Sequence, residues 1–199
     1  AVAIRALPKL EGTVHVNIAL IVKFIANYFF NPGPYAEVPK RSDAANDGFL
    51  FDQGPTRGLG KIRFHDYEPA YRAWDLPNVN LFREQIAVFK ECLAQAGPTE
   101  GQTKDIDFLL NVGEMFALVV YGQLVLENAC ICAPHRDLVD QIFDFMVRDM
   151  SGFAVELHGK RASTAAQMDY ALRMIRKPIP DDARYERVWR DQVYAQKGA

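Results

Sequence analysis

Cysteine is scarce in this sequence: three residues in 199, two of them in Cys130-Ile131-Cys132, with no second pair elsewhere. An odd count without repeated spacing excludes a disulfide framework, and the pair is too tight for a zinc knuckle. Histidine is sparse too. His15, His65, His135 and His158 include no pair at the i, i+4 spacing that sets two imidazoles on one helical face. No metal centre is expected from these residues. An excess of one charge is also lacking: 23 Lys and Arg against 25 Asp and Glu leave −2. Without a basic field, nucleic-acid binding by phosphate neutralisation is disfavoured. No Gly-x-Ser-x-Gly elbow is present. Gly54-Pro55-Thr56-Arg57-Gly58-Leu59-Gly60-Lys61 looks like a phosphate loop, but no Ser or Thr follows the Lys and no strand precedes it. The opening residues show no charged stretch leading into an apolar one with a small-residue cleavage site. With the scattered cysteines, this makes a reducing cytoplasm the expected location, membrane association being left open.

What is present is a globular balance, 49% hydrophobic, 24% charged and 12% aromatic, without repeats or low-complexity tracts. The apolar opening Ala1-Val2-Ala3-Ile4-Arg5-Ala6-Leu7-Pro8 reads as a cut inside a buried region. The expectation is a piece of a longer protein that is not a free-standing monomer. From Thr13 to Asn31 the residues are almost all apolar, with Asn17, Lys23 and Asn27 on one narrow stripe. That spacing predicts a helix buried on most of its surface, stopped by Asn31-Pro32-Gly33-Pro34. Lys23 and Asn27 near its middle argue against a membrane span. Residues 35–66 read as a long irregular segment with an apolar patch at Phe49-Leu50-Phe51. Its basic residues Lys40, Arg41, Arg57, Lys61 and Arg63 read as a solvated loop rather than an anion site.

Beyond this the pattern is helical. Helices are expected over Glu68 to Trp74, Asn78 to Ala96, about Thr103 to Ile131, Asp137 to His158, Thr164 to Ile175 and Asp181 to Tyr194. Thr103 is the expected cap of the third, with Asp105 and Asp107 in its first turn. Its stretch Met115 to Leu126 is expected at the centre, with Leu118 and Leu124 in the core. The fourth is expected to turn Leu138, Ile142, Phe145, Met146, Phe153 and Leu157 inward. The fold class is all-α, divided into residues 1–34, an irregular connector at 35–77 and a helical bundle at 78–199.

The most informative chemistry stands before the first helix, at Leu10-Glu11-Gly12-Thr13. Thr13 can cap the helix and Gly12 lets backbone approach a ligand closely. Burial would raise the Glu11 carboxyl pKa and the helix N-terminus would lower it. A carboxylate so placed suits proton abstraction.

Glu11-Gly12-Thr13 before an apolar helix resembles the catalytic segment of the acyl-CoA dehydrogenase family. Longer stretches extend the likeness: Leu7-Pro8-Lys9-Leu10 through Asn17, Val38-Pro39-Lys40-Arg41-Ser42-Asp43 through Asp47, Gly58-Leu59-Gly60-Lys61 through Asp66, Val119-Val120-Tyr121-Gly122-Gln123-Leu124 and Leu157-His158-Gly159-Lys160. They are similar to the C-terminal part of bacterial, actinobacterial-type members. The resemblance implies the end of the family's last helical domain followed by an appended helical bundle. It implies that Glu11 removes the α-proton of an acyl-CoA while FAD takes the β-hydrogen, a step of fatty-acid β-oxidation. It places Gly12 against the substrate thioester and Thr13, Val14 and His15 at FAD. The family carries Gln where His15 stands, and imidazole can also donate a hydrogen bond. The implied partners are the missing N-terminal portion or a companion chain, an electron-transfer flavoprotein, and further copies in a homodimer or homotetramer. The alternatives are an acyl-CoA oxidase and a non-catalytic helical assembly module. Alone, without an FAD-binding barrel, the chain is expected to be inactive.

Overall fold

The computed structural model describes residues 14–34 and 63–195. Among these the fold is all-α, the one exception being an isolated parallel bridge between Gly33 and His65. Helix α1 (Val14–Ile21) passes through a 3-10 turn, Val22–Phe24, into α2 (Ile25–Phe29). Then follow α3 (Glu68–Arg72), α4 (Pro77–Gln95), α5 (Ile106–Cys132), α6 (Arg136–Gly159), α7 (Ala165–Met174) and α8 (Asp182–Val188), the last continuing as a π turn over Trp189–Tyr194.

Local chemistry explains most of the boundaries. Leu76 is extended, as a residue before proline prefers, and Pro77 opens α4. The Asp181 carboxylate caps α8 by accepting from the Arg184 N–H. Thr164 and Gln167 form a reciprocal capping box at α7. At α5 the cap is Asp105, whose carboxylate accepts from the Asp107 and Phe108 N–H groups at 3.0 and 3.3 Å. The expected cap Thr103 instead lies in a 3-10 turn, Gln102–Lys104, and its hydroxyl donates to the Glu100 carbonyl at 2.7 Å. Helix α5 ends at Ala133, the one non-glycine with positive φ among the described residues (49°).

Helix α5 lies between α6 on one side and α1 on the other, while α4, α6 and α7 pack on one another. The core is aromatic and methionine-rich: Phe82, Phe89, Phe108, Phe116, Phe143, Met115 and Met150 are all buried. Two glycines on α5 permit close approaches. A Cβ on Gly113 would stand 2.6 Å from Ile18 Cγ2 and 2.7 Å from the Ile18 carbonyl oxygen, so α1 crosses where α5 has no side chain. A Cβ on Gly122 would collide with the Tyr71 hydroxyl, which donates to the Val119 carbonyl at 2.7 Å.

Three expectations about faces are corrected. Helix α1 is not buried on most of its surface, since Val16 and Leu20 are 51% and 47% exposed; burial begins at Ile25, Tyr28 and Phe29. On α5, Leu124 is exposed and Leu118 half-buried, while Met115, Phe116, Val119 and Leu126 face inward. On α6, Phe145 is exposed, and the inward set is Val139, Phe143, Met146, Val147, Met150, Ala154 and Leu157. Helix α5 is, by length and composition, the one described helix long and apolar enough to cross a membrane, and half of its apolar window is buried inside the fold. A central bundle helix has the same properties.

Candidate functional site

The sequence-predicted residues Glu11, Gly12 and Thr13 lie outside the described residues. Val14 and His15 form the first two positions of α1, and their side chains also lie outside the described set. The helix therefore opens directly after the Glu-Gly-Thr triplet. The first four N–H groups of any α-helix lack intrahelical acceptors, and its N-terminus carries the positive end of the helix dipole. An acceptor-rich ligand or a carboxylate placed there meets the favourable end of that dipole.

Along α1, away from that opening, lies an apolar groove of about 490 Å³. Ile21 and Phe24 form one wall. Phe116, Ala117, Val120, Tyr121 and Leu124 of α5 form the other, and Phe64 also lines it. No charged side chain lines it. Phe24 and Phe64 meet edge to face with ring centroids 5.7 Å apart, and Phe64 meets Tyr28 in the same way at 5.8 Å.

Tyr28 connects this aromatic cluster to a buried polar chain. Its hydroxyl donates to Gln123 Oε1 at 2.6 Å, and the Gln123 amide donates to Glu127 Oε1 at 2.7 Å. His65 Nε2 stands 2.8 Å from the same carboxylate oxygen. The Glu127 side chain is 4% exposed and that of His65 35%. A carboxylate this deep requires donors, and Gln123 and His65 supply them. The backbone ties the neighbouring segments together as well: Gly33 N–H donates to the Phe64 carbonyl at 2.6 Å, and Asp66 N–H to the Gly33 carbonyl at 3.2 Å.

The electrostatics make this chain a structural tether. Burial, with the charges of Glu127 and Asp66 nearby, holds the Tyr28 phenol far above its ordinary range. Burial does the same for Tyr71. Both stay neutral donors at any physiological pH and supply no base. Burial likewise pushes the Cys92 thiol up to about 11, leaving little thiolate for nucleophilic work. Among the described residues no three His, Cys, Asp or Glu side chains come together as a metal site.

Sequence reasoning missed both the groove and the pairing of His65 with Glu127. The pair is 62 residues apart, so no local spacing signals it. The groove had a partial signal: Ala117 is small where its neighbours on α5 are large, which leaves space beside α1.

Comparison of the chain with protein-family models, with curated proteins and with solved structures finds no match.

Proposed function

We propose that this chain is the C-terminal part of an FAD-dependent acyl-CoA dehydrogenase. The carrying observation is that Glu11-Gly12-Thr13 stands immediately before an apolar helix opening at Val14. In this reading the Glu11 carboxylate accepts the α-proton of an acyl thioester and becomes the carboxylic acid. Gly12 lets the backbone pass close to the thioester. The first turn of α1, where Val14 and His15 stand, carries the positive end of the helix dipole, which suits the acceptor atoms of FAD. The chemistry FAD supplies when bound is acceptance of the β-hydrogen as hydride. The appended bundle follows the segment carrying the base. The remainder of the acyl pocket and the flavin-binding barrel come from the N-terminal portion or a companion chain. Electrons leave to an electron-transfer flavoprotein, and the enzyme is a homodimer or homotetramer.

The test is Glu11→Gln in the complete enzyme. FAD absorbance is expected to persist while turnover falls by orders of magnitude, because an amide does not accept the α-proton. Near-normal turnover overturns the assignment of the base, and absence of any flavin spectrum overturns the family reading. Reoxidation by oxygen in preference to an electron-transfer flavoprotein would redirect the reading to an acyl-CoA oxidase.

A further inference from the structure

We infer that the cleft between α3 and α4 is a binding site for a small organic phosphate monoester, taken as its dianion. This goes beyond the acyl-CoA reading and does not rest on it, because every residue lining the cleft lies between positions 67 and 90. The cleft holds about 300 Å³, at the lower end of the range for small-molecule sites. Arg83, Ile86, Ala87 and Lys90 recur at steps of three and four, so they share one face of α4. Ala87, the small residue between the two cations, leaves the space. Tyr67, Glu68 and Tyr71 face them from the start of α3. The Tyr71 hydroxyl is committed to the Val119 carbonyl, so Tyr71 and the buried Ile86 offer the cleft an apolar floor.

Three observations select the ligand. The cations are poorly matched within the protein. Arg83 donates from Nη1 to the neutral Asn80 Oδ1 at 3.1 Å, and no carboxylate pairs with it among the described residues. Lys90 Nζ stands 4.0 Å from Glu68 Oε1, at the limit of an ion pair, and lies over the Tyr67 ring 5.7 Å from its centroid. Glu68, the one carboxylate on the lining, is already paired with Arg72. Arg72, Arg83 and Lys90 together therefore outweigh Glu68 by two charges, which matches a phosphate monoester near neutral pH. The third observation is Tyr67, which is 6% exposed and whose hydroxyl has no hydrogen-bond partner among the described residues. A hydroxyl so placed costs free energy until an acceptor meets it. Burial, with the charges of Glu68 and Asp66, keeps this phenol protonated and able to donate. A guanidinium fork, an ammonium and a phenol O–H make three donor groups, which suit the three terminal oxygens of a phosphate better than the two of a carboxylate.

The experiment is titration calorimetry on the full chain with phenyl phosphate, inorganic phosphate and benzoate as probes. Phenyl phosphate is expected to bind most tightly, since it alone offers both a dianionic head and an apolar body for the floor. Absence of saturable phenyl phosphate binding overturns the site, and equal affinity for inorganic phosphate or for benzoate overturns the monoester assignment. Arg83→Gln is expected to weaken phenyl phosphate by roughly tenfold or more, as loss of a charge-assisted contact does. Tyr67→Phe removes only a hydroxyl without a partner, so the fold is expected to persist, as checked by circular dichroism, while binding weakens roughly fivefold. Unchanged affinity in either folded variant overturns the assignment. Lys104→Gln removes a surface cation from another part of the molecule and is expected to leave binding unchanged; a loss equal to that of Arg83→Gln would reduce the effect to general screening and overturn the site. Glu68→Gln is expected to tighten phenyl phosphate by up to roughly fivefold, because the one opposing charge on the lining is gone. A gain of affinity does not arise from misfolding, and weaker binding in that variant, folded by circular dichroism, overturns the charge argument.

Discussion

Residues 14–34 and the segment following α7 are attached to the same bundle by opposite means. The first is held by rings. Phe29 packs against Tyr28, Tyr67, Phe89 and Phe116 with centroid separations between 5.1 and 5.9 Å, and both Tyr28 and Phe29 are buried. The second is held by charge. Arg184 of α8 is 3% exposed and donates to Asp140, Asp144 and Gln141, while its aromatic neighbours Tyr185, Trp189 and Tyr194 face outward. The difference has energetic content. Buried carbon gains stability with area and tolerates small shifts of position. A buried ion pair roughly breaks even against desolvation, but its donors and acceptors must match, so it fixes one docking geometry. The ring-held segment contributes stability, and the charge-held one contributes register.

The strongest way to break the ring-held attachment is Phe29→Ala. Removing a fully packed phenyl from among four other rings is expected to cost about 3–5 kcal/mol. Denaturant unfolding at neutral pH measures it, and a loss below about 1 kcal/mol would mean that the segment is not anchored through this ring. On the other side, Arg184→Met leaves Asp140 buried with only its bonds from Asn78, the backbone N–H at 2.8 Å and the side-chain amide at 3.2 Å. The expected cost is about 3 kcal/mol, because an unpaired buried charge costs more than the pair was worth. Arg184→Lys is expected to recover only part, since one ammonium does not span Asp140, Asp144 and Gln141 as a guanidinium does. Full recovery by Lys would reduce the clamp to simple charge neutralisation.

The same contrast explains how much was legible in the sequence. The all-α class and the helix order follow from apolar spacing, and the start of α7 follows from Thr164 with Gln167 three residues on, a local signal. The inward face was harder to place, even on an amphipathic helix. On α6, Val139, Phe143, Met146, Val147, Met150, Ala154 and Leu157 form an unbroken stripe at steps of one to four residues. The face expected from the sequence shares only Met146 and Leu157 with that stripe: Leu138, Ile142 and Phe153 are half-buried, and Phe145 sits beneath the Arg148 guanidinium at the surface. On α5 nearly every position is apolar, so periodicity cannot separate Leu124 from Leu126, and only the neighbours decide. Contacts between distant residues, such as Arg184 with Asp140 or His65 with Glu127, leave no local trace at all. Of the candidate site, the start of α1 was legible at Val14, Glu11 itself lies outside the described residues, and the groove depends on how two helices cross.

The smallest expected effect tests the rim of the charge-held side. Arg187 donates from Nε to the Asp137 carboxylate at 2.6 Å, with the Arg187 side chain 43% exposed and that of Asp137 20%. The hydrogen bond from Arg187 holds the Asp137 carboxyl below its usual value, with His135 and Arg184 adding to the effect. A lowered folded pKa means that the unfolded chain binds the proton more readily. The pair's contribution is therefore complete well above the ordinary aspartate value near 3.9, and it is lost as pH falls through the folded pKa below that. Because Arg187 is open to solvent, screening keeps the contribution small. Arg187→Ala is expected to lower the urea midpoint slightly at pH 6, and the difference is expected to vanish in acid once the pH has fallen through the folded Asp137 pKa. Raising salt to 1 M at pH 6 is expected to bring wild type and variant together, since the Debye length falls to about 3 Å. Arg184 lies too deep for that screening, so the Arg184→Met deficit is expected to persist in the same salt. A variant difference at Arg187 that survives both acid and salt would assign its side chain to packing through its methylene stem instead of to charge.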